Sequence, residues 1–277
     1  MQGQIQEEEG MEMAVHEIRR TIKRFRAILR LIRDEIGYAA FYRENRFYRE
    51  LSARLSPMRD EAMLRQTILK SGDGHREFLQ EKEKKRLQEV FRERIEQSRE
   101  EFQVRYGGFE QLVEDLEKGR ARIPSCCRFR EDPDLFRTGL KRVYRRGRKS
   151  LFRIREDYSL EDFHEYRKQT KYLLHQVELL RPIFPRLLKA YTGSVAGHAE
   201  LLGEIRDLDR LELYLKDAPR REIPASGKKS AMSEIIRRRD PLMGKVFRRA
   251  GLIYAEKPGA FAQRMNEYQR YYYELKV

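Results

Sequence analysis

The sequence predicts an all-α protein, on three observations. Apolar residues recur at three- and four-residue steps along most of the chain, no segment alternates with the two-residue period of a half-buried strand, and a charged octapeptide placed on one of these helical segments occurs twice. The first copy is His16-Glu17-Ile18-Arg19-Arg20-Thr21-Ile22-Lys23 and the second is His164-Glu165-Tyr166-Arg167-Lys168-Gln169-Thr170-Lys171, a shared H-E-x-R-[RK]-x-x-K. Leu55-Ser56-Pro57-Met58-Arg59-Asp60 follows the first at nearly the offset at which Leu202-Gly203-Glu204-Ile205-Arg206-Asp207 follows the second. Whole helical units are therefore duplicated, and the chain reads as two related halves.

Each element follows from its period and its breakers. In the first helix Val15, Ile18, Ile22, Phe25, Leu29 and Ile32 form one seam at about 100° per residue. Residues 41–70 read as one helix or a pair broken at Pro57, and Ser71-Gly72-Asp73-Gly74 as a turn. A long charged helix starts near His75 and ends at Gly107-Gly108, with a short amphipathic segment after it. Residues 119–133, with Pro124 and the adjacent Cys126 and Cys127, keep no period and read as the join between halves. Helices are expected at about 134–156, 160–181, 185–217, 228–250 and 259–274, with Pro182 and Pro185 separating two of them and 218–230 as an exposed loop. The domain division is an acidic tail at 1–11, an N-terminal helical half at 12–125 and a C-terminal half at 133–277.

Three of these helices carry a cationic stripe beside their apolar seam. In the first it is His16, Arg19, Arg20, Lys23, Arg26, Arg30 and Arg33. In the helix holding the second copy, Phe163, Tyr166, Thr170, Leu173, Val177 and Leu180 make the seam and His164, Arg167, Lys168, Lys171 and His175 the stripe. In the helix from about Asp134, Phe136, Leu140, Val143, Gly147 and Ile154 face inward, leaving Arg137, Lys141, Arg145, Arg148 and Arg155 alongside. Like charges at four-residue spacing repel by a few tenths of a kcal/mol per pair, so an anionic partner is implied.

Composition agrees with that partner without choosing it. The 277 residues carry 60 Lys+Arg against 45 Asp+Glu, a net charge of +15, which suits nucleic acid, polyphosphate or an acidic membrane surface. With 40% hydrophobic residues there is material for a core. Two adjacent cysteines match no disulfide framework or metal-ligand spacing, and a reducing cytosol is the simple reading. Glu7, Glu8 and Glu9 are opposite in charge to a signal-peptide start, and no run approaches the roughly 18 apolar residues of a membrane span.

The duplicated element, the preceding Lys141-Arg142-Val143-Tyr144-Arg145-Arg146-Gly147-Arg148-Lys149 and the run Leu202 to Asp209 (Leu-Gly-Glu-Ile-Arg-Asp-Leu-Asp) resemble a CHAD domain, the conserved histidine α-helical domain, over nearly the whole chain. The resemblance implies two four-helix bundles related by pseudo-twofold symmetry, a basic groove between them, and binding of inorganic polyphosphate. Two departures stand out: a shorter second stripe, and Leu-Ser-Pro-Met where the second half has Leu-Gly-Glu-Ile.

Polyphosphate carries about one negative charge per phosphate and no bases, so its site needs many cations along an extended surface and no base-reading groups. The stripe from His16 to Arg33 spans roughly 25 Å at 1.5 Å per residue, the scale of a chain and not of a mononucleotide. The expected polyphosphate-binding set is His16, Arg19, Arg20, Lys23, Arg26, Arg30, Arg59, Arg137, Lys141, Arg145, Arg148, His164, Arg167, Lys168, Lys171, His175 and Arg206. The histidines either contact phosphate or pack against the groove wall; contact would make binding rise as pH falls through about 6.5. No metal site, cofactor or catalytic residue is expected, because cations crowd the histidines and no zincin H-x-x-x-H is present. Glu81-Lys82-Glu83-Lys84-Lys85 satisfies the E-x-E-x-K of triphosphate tunnel metalloenzymes, but that signature works on a strand, and this segment reads as helix. Asp60 and Asp207 are expected to orient the arginine before them or to cap helix ends. The function expected is non-enzymatic polyphosphate binding in the cytoplasm, with targeting to polyphosphate granules. The alternative is an RNA- or other nucleic-acid-binding helical protein, in which Tyr271-Tyr272-Tyr273 stack on bases instead of docking the last helix. No membrane partner is expected, and the oligomeric state is open.

Overall fold

A computed structural model describes residues 2–69, 79–126, 132 and 134–275, and among them there are eleven α-helices and no strand. In order these are α1 (Gln2–Leu31), α2 (Arg33–Ile36), α3 (Tyr38–Arg54), α4 (Ser56–Leu69), α5 (Glu81–Tyr106), α6 (Gly108–Cys126), α7 (Arg137–Glu156), α8 (Leu160–Leu180), α9 (Pro185–Asp217), α10 (Ala225–Ile253) and α11 (Pro258–Glu274). The expected turn at 71–74, the helix start near His75 and Cys127 lie outside the described residues. Residues 2–11, set apart in the sequence as an acidic tail, belong to α1.

The chain forms two compact units, and both sequence halves contribute to each. One comprises Met1–Thr21, Glu50–Lys118 and Glu204–Met243; the other comprises Ile22–Arg49, Gly119–Gly203 and Gly244–Val277. In the first unit α4 packs on α5. Its core joins Leu64, Ile68, Leu79, Leu87 and Phe91 to Leu208, Leu211 and Leu215 of α9 and to Ala218, Ile223, Ala231 and Ile235. A capping box starts α5: Glu83 accepts from the Gln80 amide at 2.9 Å while the Gln80 side chain takes the Glu83 amide. Glu81, Glu83 and Lys85 thus sit on the first turn of a helix, away from strand geometry.

In the second unit α7 packs on α8 and α11 on α7. The seam Phe163, Tyr166, Thr170, Leu173, Val177 and Leu180 is buried throughout. Close helix contacts depend on small residues: a Cβ at Gly139 would collide with the Leu31 carbonyl, and one at Gly147 with the Tyr254 ring. Tyr144 stacks on Phe261 with centroids 4.1 Å apart.

Two segments differ from the sequence expectation. Residues 119–126, expected to keep no helical period, are the last turns of α6, which runs through Pro124 to Cys126. Gly119 is a packing glycine: a Cβ there would lie 2.6 Å from the Tyr48 hydroxyl. Pro124 stands close to the helix end, where its missing N–H breaks a single hydrogen bond. The second segment, 218–230, is not an exposed loop. Ile223 is fully buried in the first unit's core, Glu222 accepts from Arg94 at 3.0 Å and from the Tyr214 hydroxyl at 2.5 Å, and α10 already starts at Ala225. Apolar periodicity cannot register one isoleucine in a Pro-rich turn, although that residue closes the core.

The second unit also buries His198. The Tyr166 hydroxyl, whose pKa is raised well above its usual value by burial, shares a hydrogen bond with Nε2 at 2.6 Å. The other ring nitrogen, Nδ1, is buried with no hydrogen-bond partner. Burial, assisted by the Arg249 charge, pushes the His198 pKa down to about 4. Above pH ~6.5 the ring is neutral folded or unfolded; between ~6.5 and about 4 the unfolded chain binds a proton that the folded one refuses. Stability should therefore fall by ~3 kcal/mol across that window as pH decreases. Chemical denaturation at pH 7, 5.5 and 4 checks this: His198→Gln should lose close to one proton's worth of pH slope relative to the native protein.

Candidate functional site

Each unit holds its own cluster of half-buried arginines. In the first unit α1 supplies Arg19, α4 Arg59, and α9 Arg206 and Arg210. Arg19 donates to the Ser52 carbonyl and, at 2.7 Å, to the Ser56 hydroxyl. Ser56 opens α4, so the Leu-Ser-Pro-Met departure supplies the acceptor that positions Arg19. Burial lowers the Arg19 pKa; Asp60 opposes this, and the charges of Arg206, Arg59 and Arg210 add to it. Arg206 is lowered by burial and then by Arg210, and Arg59 by burial, with Asp207 and Glu12 opposing and Arg206 adding. These shifts leave guanidinium charged at neutral pH, so four cations face Asp60 and Asp207 in a region short of water.

Neither aspartate caps a helix; Asp207 pairs with the Arg206 that precedes it, and each aspartate also reaches an arginine of the other helix. Asp60 is paired with Arg210, and Asp207 is the strongest stabilising charge on Arg59, while its own neighbour Arg206 lies 3.8 Å away. Both sit inside helices, Asp60 in α4 and Asp207 in α9. The repeated Arg-Asp dipeptides thus interlock across α4 and α9. Of the other expected residues here, His16 and Arg20 are exposed, with Glu17 3.9 and 3.3 Å from them. A narrow cleft lined by Val15, Met58, Ala62 and Ile95 opens beside Arg59. Arg65 at its edge pairs with Glu12 at 2.7 Å.

In the second unit the cluster centres on Arg26 and Arg30 of α1. Arg26 donates to the Asn45 side chain of α3 at 3.1 Å. Arg30 lies 4.1 Å from the centre of the Tyr172 ring and donates to the Arg26 carbonyl at 2.7 Å. Burial pushes the Arg30 pKa down to about 10, with Tyr172 and Glu165 opposing and Arg26 and Arg146 contributing. On α8, Lys168 pairs with Glu165, and His175 shares a hydrogen at 3.0 Å with Glu178, which also lies 3.9 Å from Arg24. Burial lowers the His175 pKa despite Glu178, so the ring is neutral at pH 7. His164, Lys23, Lys141 and Arg145 are exposed, and Arg167 and Lys171 half-buried. Arg137 lies 3.8 Å from Asp134, Arg148 sits over Phe152, and Arg155 donates to the Phe247 carbonyl. Among the described residues no three His, Cys, Asp or Glu side chains group as a metal set.

Sequence reasoning missed Arg210 and Arg146. Arg210 is one turn beyond Arg206 on the same helix face, a spacing that would have found it. Arg146 lies outside the α7 stripe as read from the apolar seam, yet it is the α7 cation felt by Arg30 and by Glu165.

Two helices carrying the duplicated motif, a preceding arginine-rich helix and an Arg-Asp element on a later helix are now placed, and residues 4–216 match the model of the CHAD domain. The chain belongs to the CHAD-domain family. Nothing among curated proteins or solved structures matches it. In this CHAD domain the family match ends at Lys216, so α10 and α11 lie beyond it, although both complete the cores of their units. No described helix is long and apolar enough to cross a membrane.

The crossed aspartate contacts generate a test. Asp60→Asn should lower stability by about 2 kcal/mol in low salt, because Arg210 and Arg19 lose their nearest countercharge. Sulfate should restore the melting temperature of the variant more than it raises that of the native protein. Thermal unfolding with and without sulfate measures both, and identical responses would contradict the cluster's electrostatics.

Proposed function

We propose that this CHAD-domain protein binds inorganic polyphosphate without hydrolysing it, through the arginine clusters of its two units. The observation that carries the reading is the first cluster: Arg19, Arg59, Arg206 and Arg210 stand half-buried and mutually repelling, with Asp60, Asp207, Glu12 and Glu61 near them and Glu12 also tied to Arg65. Natural cores avoid such groups unless a partner compensates them, and a phosphate chain supplies closely spaced oxygens that match the guanidinium fork. The exposed members, His16, Arg20, Lys23, Lys141, Arg145, His164 and Lys168, would hold the chain more loosely as point charges. Because His175 is neutral at pH 7 and engaged with Glu178, it acts as a wall and not as a charge. Recruitment to polyphosphate granules in the cytoplasm is the role this binding would serve.

Nucleic-acid binding is the second reading, favoured by one observation: Tyr271 and Tyr273 remain exposed on α11, whose other face is docked. Competition separates the two. Polyphosphate of modest length should displace RNA, whereas an RNA site should prefer particular bases.

Binding should be electrostatic and independent of divalent metal. In the presence of a chelator, affinity for polyphosphate of defined length should fall with salt at a log–log slope of roughly −3 or steeper, by analogy with counterion release from nucleic acids. The polymer should remain uncut after long incubation with magnesium or manganese. A slope near zero, or phosphate release that tracks protein through further purification, would overturn this reading.

A further inference from the structure

At the end of α1 the chain makes a sharp turn that leaves two aromatic rings in solvent. The helix α2 is four residues long, and Gly37, at φ +79°, separates it from α3. A side chain there would be strained, so the break is built in. It places Tyr38 and Tyr42 one turn apart at the start of α3, where their rings stack with centroids 6.2 Å apart and planes 23° from parallel. The pair is 69% and 52% exposed. A single surface tyrosine needs no explanation, whereas two stacked rings flanked by cations form a platform.

Cations and rings alternate away from that platform. The Arg33 guanidinium lies 6.0 Å from the Tyr38 ring centre and 5.6 Å from that of Phe41, and Arg30 lies 5.8 Å from Phe41 and 4.1 Å from Tyr172. Asp34 of α2 is engaged by Arg142 and lies 3.8 Å from Arg33, and at Arg30 the charges of Arg26 and Arg146 stand against Glu165. The local field therefore favours an anion next to an open aromatic face.

We propose that Tyr38 and Tyr42 seat the base of a nucleoside oligophosphate whose phosphates run onto Arg33 and Arg30. The proposal rests on the phosphate-binding reading of the second unit's cluster and gives it a second class of ligand. One stacked pair offers a face to one base. A nucleic acid brings a base with every phosphate and calls for successive platforms, so a single base at the end of a phosphate chain matches the site better.

Adenosine 5′-tetraphosphate and inorganic tetraphosphate, titrated into the full chain, test this directly. The nucleotide should bind about tenfold more tightly, and its base protons should shift upfield on binding, as stacking requires. In Tyr38→Leu/Tyr42→Leu the advantage should shrink to about twofold or less, with affinity for long inorganic polyphosphate unchanged. Both side chains are exposed, and the base-proton shift in the native protein needs no variant at all. Equal affinities with no upfield shift, or an advantage that survives in the double variant, would overturn the proposal while leaving the polyphosphate reading in place. Tyrosine-dependent nucleotide binding without any binding of inorganic polyphosphate would support the platform and sink the broader reading instead.

Discussion

Guanidinium groups crowded together partly out of water are the constraint on which the rest of this structure depends. An arginine cannot shed its proton at neutral pH, so burial and like-charge proximity raise its energy instead of neutralising it. Arg19, Arg59, Arg206 and Arg210 meet this condition in one unit, and Arg26 and Arg30 in the other. Helix surroundings hold them in place: Ser52 and Ser56 take Arg19, Asn45 takes Arg26, and Tyr172 lies against Arg30. Asp60 and Asp207 reduce the repulsion without cancelling it.

The duplication explains how two such clusters arise in one chain. Each unit takes helices from both sequence halves, so motif residues of the first half meet those of the second within a unit. Asp60 of α4 pairs with Arg210 of α9, and Arg30 of α1 stacks on Tyr172 of α8. Tyr144, Tyr166, Tyr254 and Phe261 fill the core behind the second cluster, and close glycine contacts at Gly139 and Gly147 let α7 approach its neighbours.

Much of this was legible in the sequence because helical period and charge are one-dimensional signals. The seam of α8 is buried residue for residue, and the bounds of α9 coincide with those expected from Pro185 and Asp217. What stayed hidden depended on tertiary neighbours. Gly119 and Pro124 look like breakers until Tyr48 is seen against the glycine, and Ile223 looks like loop until the α5 and α9 leucines surround it. In the candidate site, periodicity put Arg19, Arg26 and Arg30 on one stripe of α1 but could not say that Ser56 receives Arg19, that Asp60 faces Arg210, or that Arg146 reaches the field of Arg30. Those pairings are set by which helices meet, and no spacing within one helix records it.

If the first cluster is kept for a ligand at a cost in stability, removing charge from it should weaken binding without weakening the fold. Thermal unfolding of Arg59→Gln/Arg206→Gln, with and without polyphosphate of defined length, reads both quantities in one measurement. The account predicts a melting temperature equal to or above that of the native protein without ligand, and loss of most of the ligand-induced rise. A variant that melts lower yet is stabilised by polyphosphate as strongly as the native protein would contradict it.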